Sequence, residues 1–290
     1  MKTQADKLQK IVEGEVGEKE IQTKIIAITS GKGGVGKSTL TANMANILAK
    51  EGYRVAVFDA DIGLANLDII FRVKTQRNLL NVLKGECSLK DIVIEVKENL
   101  LLIPGESGDE IFDFNNQVIL DRFMEEASFL NTIDYLLIDT GAGIGRNVQL
   151  FLEEADEVII ITTPDPSAIT DAYATIKVTS NINPHINLLL NNVTSDKEGS
   201  LIYNKIKNVA VDNLDSALEL TYLGSLHKED TISNSSKYRE LFTQEYPNSL
   251  STFELNEIIQ NLVYKLEHKV LSPKVRKSFA VFVRRLIEKF

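Results

Sequence analysis

Between residues 24 and 223, short continuous apolar runs alternate with longer stretches in which apolar positions recur every three or four residues. The runs are Lys24–Thr29, Arg54–Phe58, Leu100–Ile103, Tyr135–Ile138, Val158–Ile161, Ile186–Leu190 and Leu220–Leu223. Each is too short for a helix and too continuous for a strand with one wet face, so each reads as a strand buried on both sides. Between them, Ser38–Glu51 carries Leu40, Met44, Ile47 and Leu48 at helical spacing and stops at Gly52. Leu79–Leu83 and Gln117–Leu130 also read as helices. Strands that alternate with helices predict an α/β fold, a mostly parallel sheet with helices on both faces. No strand is expected after Gly224, and 228–268 reads as helices interrupted near Pro247.

The two ends follow other patterns. Residues 1–23 are polar, with a short helix expected over Gln4–Val12 and linker after it. They lack the apolar core of a signal peptide, and no stretch approaches the roughly 20 apolar residues of a spanning helix, which predicts a cytoplasmic protein. At the other end, Val275, Phe279, Phe282, Val283, Leu286, Ile287 and Phe290 fall within about 140° of a helical wheel. The expected division is a 1–23 extension, a 24–270 domain and a 271–290 amphipathic helix.

Charge sharpens this division. The chain carries −9, which argues against broad nucleic-acid binding. Residues 273–290 hold six basic side chains against Glu288, a net +5, which leaves −14 for the rest. A basic amphipathic helix on an acidic body fits the surface of an anionic membrane. Six basic residues contribute at most roughly 6 kcal/mol there. Ordering the helix costs a comparable amount, so one tail is a weak anchor and two tails on a dimer a much stronger one. The alternative is a helix packed on the chain's own core, or one that docks in one state of the protein and is released in another.

Gly31-Lys32-Gly33-Gly34-Val35-Gly36-Lys37-Ser38 fits G-x-x-x-x-G-K-[ST] and lies between a strand and a helix. The glycines let backbone N–H groups wrap phosphate oxygens, and the helix opening at Gly36 aims its positive end at the same place. ATP or ADP with Mg²⁺ is the expected ligand. Lys37 would reach the β- and γ-phosphates, Ser38 would ligate Mg²⁺, and Thr39 would support the α-phosphate. Lys32 is not required by the general motif. It is either a solvated side chain or one that reaches a nucleotide in a second subunit, as an arginine finger does.

Carboxylates complete the chemistry. Tyr135-Leu-Leu-Ile-Asp139 is an apolar strand ending in an acid, placed to hold Mg²⁺ through water. Thr140 follows where many P-loop ATPases carry a catalytic Glu, so the acid for the attacking water comes from elsewhere. Asp59 and Asp61 lie at the carboxyl end of another strand, where α/β sheets bind ligands. Asp59 would support the metal shell and Asp61 would position water; the alternative for either is a loop-capping role. Gly141-Ala-Gly143-Ile-Gly145 has the make-up of a switch that moves with the γ-phosphate.

Lys32-Gly-Gly-Val-Gly-Lys-Ser-Thr39 resembles the deviant Walker A motif of the MinD/ParA ATPases, and Asp59-Ala-Asp61-Ile-Gly-Leu-Ala-Asn-Leu-Asp68 resembles their switch I. The resemblance spans about residues 24–236. It implies slow ATP hydrolysis, an ATP-dependent homodimer with Lys32 reaching across it, Asp61 as the catalytic aspartate, and Asn191 against adenine. A lone Cys87 without CxxC excludes the iron-protein and iron–sulfur branches, one P-loop excludes the arsenite pumps, and an acidic body disfavours the DNA-partition branch.

Within the membrane-cycling branch, Asp139-Thr-Gly-Ala-Gly-Ile144, Thr162–Ala172 and Gln4-Ala5-x-x-Leu8 resemble the FlhG/FleN group that regulates flagellar number. That group carries DQAxxLR at its N-terminus; Thr3 and Gln9 depart from it here. The resemblance implies a FlhF-type GTPase as partner of the N-terminal segment, flagellar switch (C-ring) proteins as further partners, and residence at the inner membrane, towards the cell pole. It implies that anionic lipids meet Phe279, Phe282, Val283, Leu286, Ile287 and Phe290. The competing readings are a septum-placing MinD and a nucleotide-bound adaptor that does not cycle.

Overall fold

A computed structural model describes residues 22–61, 67–105, 117–214, 217–268 and 278–288. Eight strands form one sheet: β1 (Lys24–Ser30), β2 (Val55–Ala60), β3 (Ile94–Lys97), β4 (Leu100–Pro104), β5 (Tyr135–Ala142), β6 (Glu157–Thr162), β7 (His185–Val193) and β8 (Glu219–His227). Their order is β3-β4-β2-β5-β1-β6-β7-β8, and every pair is parallel except β3 with β4. The central strands are buried from end to end, as their continuous apolar runs require.

The helices are α1 (Lys37–Lys50), α2 (Leu67–Ile70), α3 (Leu79–Leu83), α4 (Gln117–Glu126), α5 (Arg146–Glu154), α6 (Pro166–Ser180), α7 (Asp196–Asn213), α8 (Asp230–Tyr238), α9 (Phe242–Glu245), α10 (Leu250–His268) and α11 (Phe279–Glu288). One face of the sheet buries Leu40, Met44 and Leu48 of α1, Phe242 of α9, and Leu255, Ile259 and Leu262 of α10. The other face buries Phe123 of α4, Phe151 of α5, Ile176 of α6, Ile202 of α7, and most of α11.

Three expectations need correction. The antiparallel edge strand β3 is not among the expected strands because its four residues, three part-buried and Glu95 exposed, alternate apolar with polar and carry no long apolar run. Strand β8 does not stop at Leu223; it runs through Gly224, whose φ of 145° and close approach to Ile258 on α10 exclude a side chain there. The third concerns the amphipathic helix. Its stripe does not face outward: Phe279, Phe282, Val283, Leu286 and Ile287 are buried in the core. Phe58, in the strand leading to Asp59 and Asp61, meets the rings of Phe279 and Phe282 at 6.1 and 6.3 Å. Arg285 pairs with Glu154 of α5 at 3.1 Å. An apolar stripe of this width suits a groove between helices as well as it suits lipid, so the pattern alone does not choose. Phe290, Val275 and the Gln4–Leu8 motif lie outside the described residues. Among those described, no helix is long and apolar enough to cross a membrane.

Candidate functional site

The loop from Gly31 to Gly36 leaves the carboxyl end of β1 at the centre of the sheet, between β5 and β6. Gly34 and Gly36 hold φ of 81° and 94°, which side chains resist. A Cβ on Gly31 would lie 2.3 Å from the Asp171 backbone of α6, and one on Gly36 would lie 2.5 Å from Asn191 Nδ2. No side chain caps α1, so the orphan amides of its first turn face the loop's interior. The same chain therefore supplies a cradle and a positive helix end.

Lys37, Asp139 and Asp61 converge. The Lys37 ammonium, almost fully buried, donates to Asp139 Oδ1 at 2.8 Å and lies 3.5 Å from Asp61 Oδ2 and 3.4 Å from Ser38 Oγ. Thr41 Oγ1 also donates to Asp139 Oδ1, at 3.3 Å. Sheet register sets Asp59 directly beside Asp139. Burial, and then the charge of Asp139, push the Asp59 carboxyl up to about 7. Burial likewise raises Asp139, against the opposing pull of Lys37. Asp59 is held by the Asp61 and Leu67 amides, both at 3.4 Å.

Two buried carboxylates side by side call for a cation beyond Lys37. Asp139 Oδ2 is buried without a hydrogen-bond partner. With Ser38 and Asp59 it makes an all-oxygen donor set suited to Mg²⁺, which prefers hard ligands and keeps several waters. Asp61 also lines a cavity of about 300 Å³ with Gly141, Gly145 and Arg146, beside the Gly-rich segment after β5.

The remaining residues fall into place less simply. Lys32 is half-exposed yet engaged: its ammonium lies 3.2 Å from Asp165 Oδ1 and contacts the Ser167 hydroxyl. Asp165 caps α6, and the Ser167 hydroxyl, the Ala168 amide and Lys32 hold its carboxyl well below the usual range. Asn191 sits under the loop with Nδ2 donating to the Val35 carbonyl at 2.9 Å, while the Val35 side chain is buried. Thr39 Oγ1 is 3.5 Å from Ser236 Oγ on α8. Sequence reasoning missed Asp165, Ser167 and Thr41. The Asp-Pro-Ser run does signal a capped helix start, but not what that cap faces. Away from this site, ligand atoms of Asp196, His227 and Glu254 lie within 4.8 Å of one another, and His185 meets Glu219 at 2.8 Å. Glu254 accepts from the His227 backbone and contacts its ring, which ties β8 to α10.

Comparison with known proteins agrees with this geometry. The ParA family pattern, described as NUBPL iron-transfer P-loop NTPase, matches residues 21–263. The chain belongs to the ParA family of P-loop NTPases. Its lone cysteine, Cys87, is buried, so the iron transfer in that description finds no thiol pair here. The chain is 47% identical over 268 residues to the flagellum site-determining protein YlxH of Helicobacter pylori, covering 92% of this chain and 90% of that protein. It is 30% identical over 271 residues to the antiactivator FleN of Pseudomonas aeruginosa, covering 91% and 94%. Among solved structures, the MinC:MinD complex of Aquifex aeolicus superposes with a TM-score of 0.64 at 26% identity, over 88% of this chain and 99% of that one. MinD with Mg-ADP from Pyrococcus horikoshii gives 0.66 at 23%, over 86% and 100%, which speaks to the shared fold.

Proposed function

We propose that this ParA-family NTPase is a slow Mg²⁺-dependent ATPase switch that dimerises with ATP, associates with the cytoplasmic membrane, and sets flagellum number or placement. The observation that carries the reading is the convergence of Lys37, Asp139 and Asp61 beside Asp59 at the mouth of the phosphate loop. The likeness to YlxH and FleN supports the flagellar role. A FlhF-type GTPase and flagellar switch proteins are the partners this role implies.

Bound Mg²⁺ would be held by Ser38, Asp59 and Asp139 and would neutralise charge on the phosphoryl oxygens. The chain's residues do the rest. The loop amides and Lys37 grip the β- and γ-phosphates. Thr39 supports the α-phosphate, and Asn191 would meet the base only by leaving the Val35 carbonyl that it holds here. Asp61 orients water from the adjoining cavity and takes up its proton as the bond from water oxygen to the γ-phosphorus forms and the bond to the β–γ bridging oxygen breaks, with ADP leaving. Lys32 leaves Asp165 in the dimer and reaches the other subunit's nucleotide. Helix α11 stays docked without ATP and, once released, lays Phe279, Phe282, Val283, Leu286, Ile287 and Phe290 on anionic lipid. Its contact with Phe58 supports a link between docking and the strand that carries Asp59.

Co-sedimentation with anionic liposomes, with ATP and with ADP, tests the switch. Binding should rise with ATP; equal binding in both states would sink it. A nucleotide-bound adaptor that does not cycle is excluded by measured hydrolysis that vanishes in Asp61→Ala.

A further inference from the structure

The Arg72 guanidinium joins the ends of α2 and α8. Arg72 follows α2, and its φ is 56°, the left-handed region that an arginine seldom enters. Arg239, which ends α8, has φ 58°. A single guanidinium joins these two strained positions. Arg72 Nε donates to the Arg239 carbonyl at 2.9 Å, and Nη2 donates to the Tyr238 carbonyl at 3.0 Å and to Glu240 Oε1 at 2.7 Å. Orphan carbonyls at a helix end are here satisfied by a distant side chain rather than by solvent. Each left-handed residue closes a helix, with the Val73 amide bonded back to Asp68 and the Glu240 amide to Ser235, so one guanidinium joins two helix caps. Strain of this kind persists where the surroundings over-determine it, and it clusters at switch regions.

The contact closes a ring around the site. Helix α2 begins at Leu67, whose amide donates to Asp59 Oδ2, and ends in Phe71 and Val73 amides bonded back to Leu67 and Asp68. Arg72 then ties this turn to the C-terminal end of α8. The same helix returns to the phosphate loop through Ser236 and Thr39. Thus α2, whose first amide holds Asp59, is anchored at its other end to α8 by Arg72.

We propose that Arg72 is a positioning residue for the Asp59 carboxylate: its guanidinium braces the end of α2 against α8, and α2 presents the Leu67 amide to Asp59, so the brace fixes where this acid stands relative to bound nucleotide. The inference rests on the reading of Asp59 as a metal-holding acid. Arg72→Gly separates the brace from the strain, because glycine accepts the left-handed backbone without a guanidinium. Arg72→Lys keeps the charge without the fork that spans two carbonyls and a carboxylate.

Steady-state hydrolysis of MgATP by the full chain should show kcat lowered roughly tenfold in Arg72→Gly, with KM within about twofold. Arg72→Lys should fall between this variant and the parent, and the glycine variant should melt no lower than the parent. Amide exchange of residues 67–73 without nucleotide should speed up about tenfold in Arg72→Gly. Unchanged kcat together with unchanged exchange would overturn the brace, as would a loss of activity that tracks a rise in KM or a fall in melting temperature. If the parent chain hydrolyses no ATP, the functional reading fails, while the exchange arm still decides the brace.

Discussion

Replacing Phe151 by alanine tests how firmly α11 is held. Phe151 lies on α5, buried, with its ring 5.9 Å from Phe58 and stacked 6.3 Å from Phe282 of α11. Helix α11 buries Phe279, Phe282, Val283, Leu286 and Ile287, at about 1.5–3 kcal/mol each, or roughly 7–15 kcal/mol together. Ordering its 10 residues costs on the order of 1.5 kcal/mol each, about 15 kcal/mol. At the upper end of the range the two sums cancel, so the docked and free states lie close in free energy. A buried Phe→Ala change costs about 3–5 kcal/mol. Phe151 meets the sheet on one side and the helix on the other, so roughly half, about 2 kcal/mol, falls on docking. That shifts the docked-to-free ratio about 30-fold. The helix's own sequence is untouched. Amide exchange of residues 279–288 should accelerate by that order, and nucleotide-free protein should sediment with anionic liposomes nearly as well as the parent does with ATP. Continued protection of the helix in a folded variant would refute the marginal-docking estimate. Fast exchange without any gain in liposome binding would refute the membrane role instead.

The acids give a pH signature. The Asp59 carboxyl is raised to about 7 in the folded chain, so between its unfolded value near 3.8 and 7 the native state binds the extra proton. Stability of the nucleotide-free protein should therefore fall, by up to a few kcal/mol, as pH rises from 5 to 8, and Asp59→Asn should flatten the melting-temperature profile; an equally steep profile in that variant would contradict the assignment. Lys37→Ala strands Asp139 in the core and should cost about 3–5 kcal/mol in calorimetry, most of it recovered by adding Asp139→Asn. Additive losses in the double variant would show that the pair is not the cause. Lys32→Ala should keep nucleotide affinity but abolish the ATP dimer in light scattering; a dimer unaffected by the change excludes the cross-subunit role. Gly31→Ala forces a Cβ against the Asp171 backbone and should weaken nucleotide binding at least tenfold in calorimetric titration, with wild-type affinity as the refuting result.

The parallel sheet was legible because its strands are buried on both faces and so are continuous in sequence. The phosphate loop was legible because its chemistry is local: glycine, lysine and serine act within nine residues. Asp59 and Asp139 are both assigned to the metal shell by sequence, but their direct contact depends on strand order. The two acids become neighbours only because β2 lies against β5, and no spacing encodes that. Lys32 meets Asp165 across 133 residues, through a helix cap that looks ordinary in sequence. The amphipathic tail was read correctly as a helix with one apolar face, but what covers that face is settled by the Phe58–Phe151 groove, which periodicity does not reveal.

If lipid and the Phe58 groove compete for α11, the same side chains must answer to two solvents. A change of Phe282 to a smaller residue weakens both attachments together and leaves their ratio nearly unmoved. The balance is then adjustable mainly on the flank, where Arg285 meets Glu154 in the docked form and would meet headgroups in the other. Drift in the set point of such a switch should therefore be sought in its charged residues, while the aromatic face stays constrained from both sides.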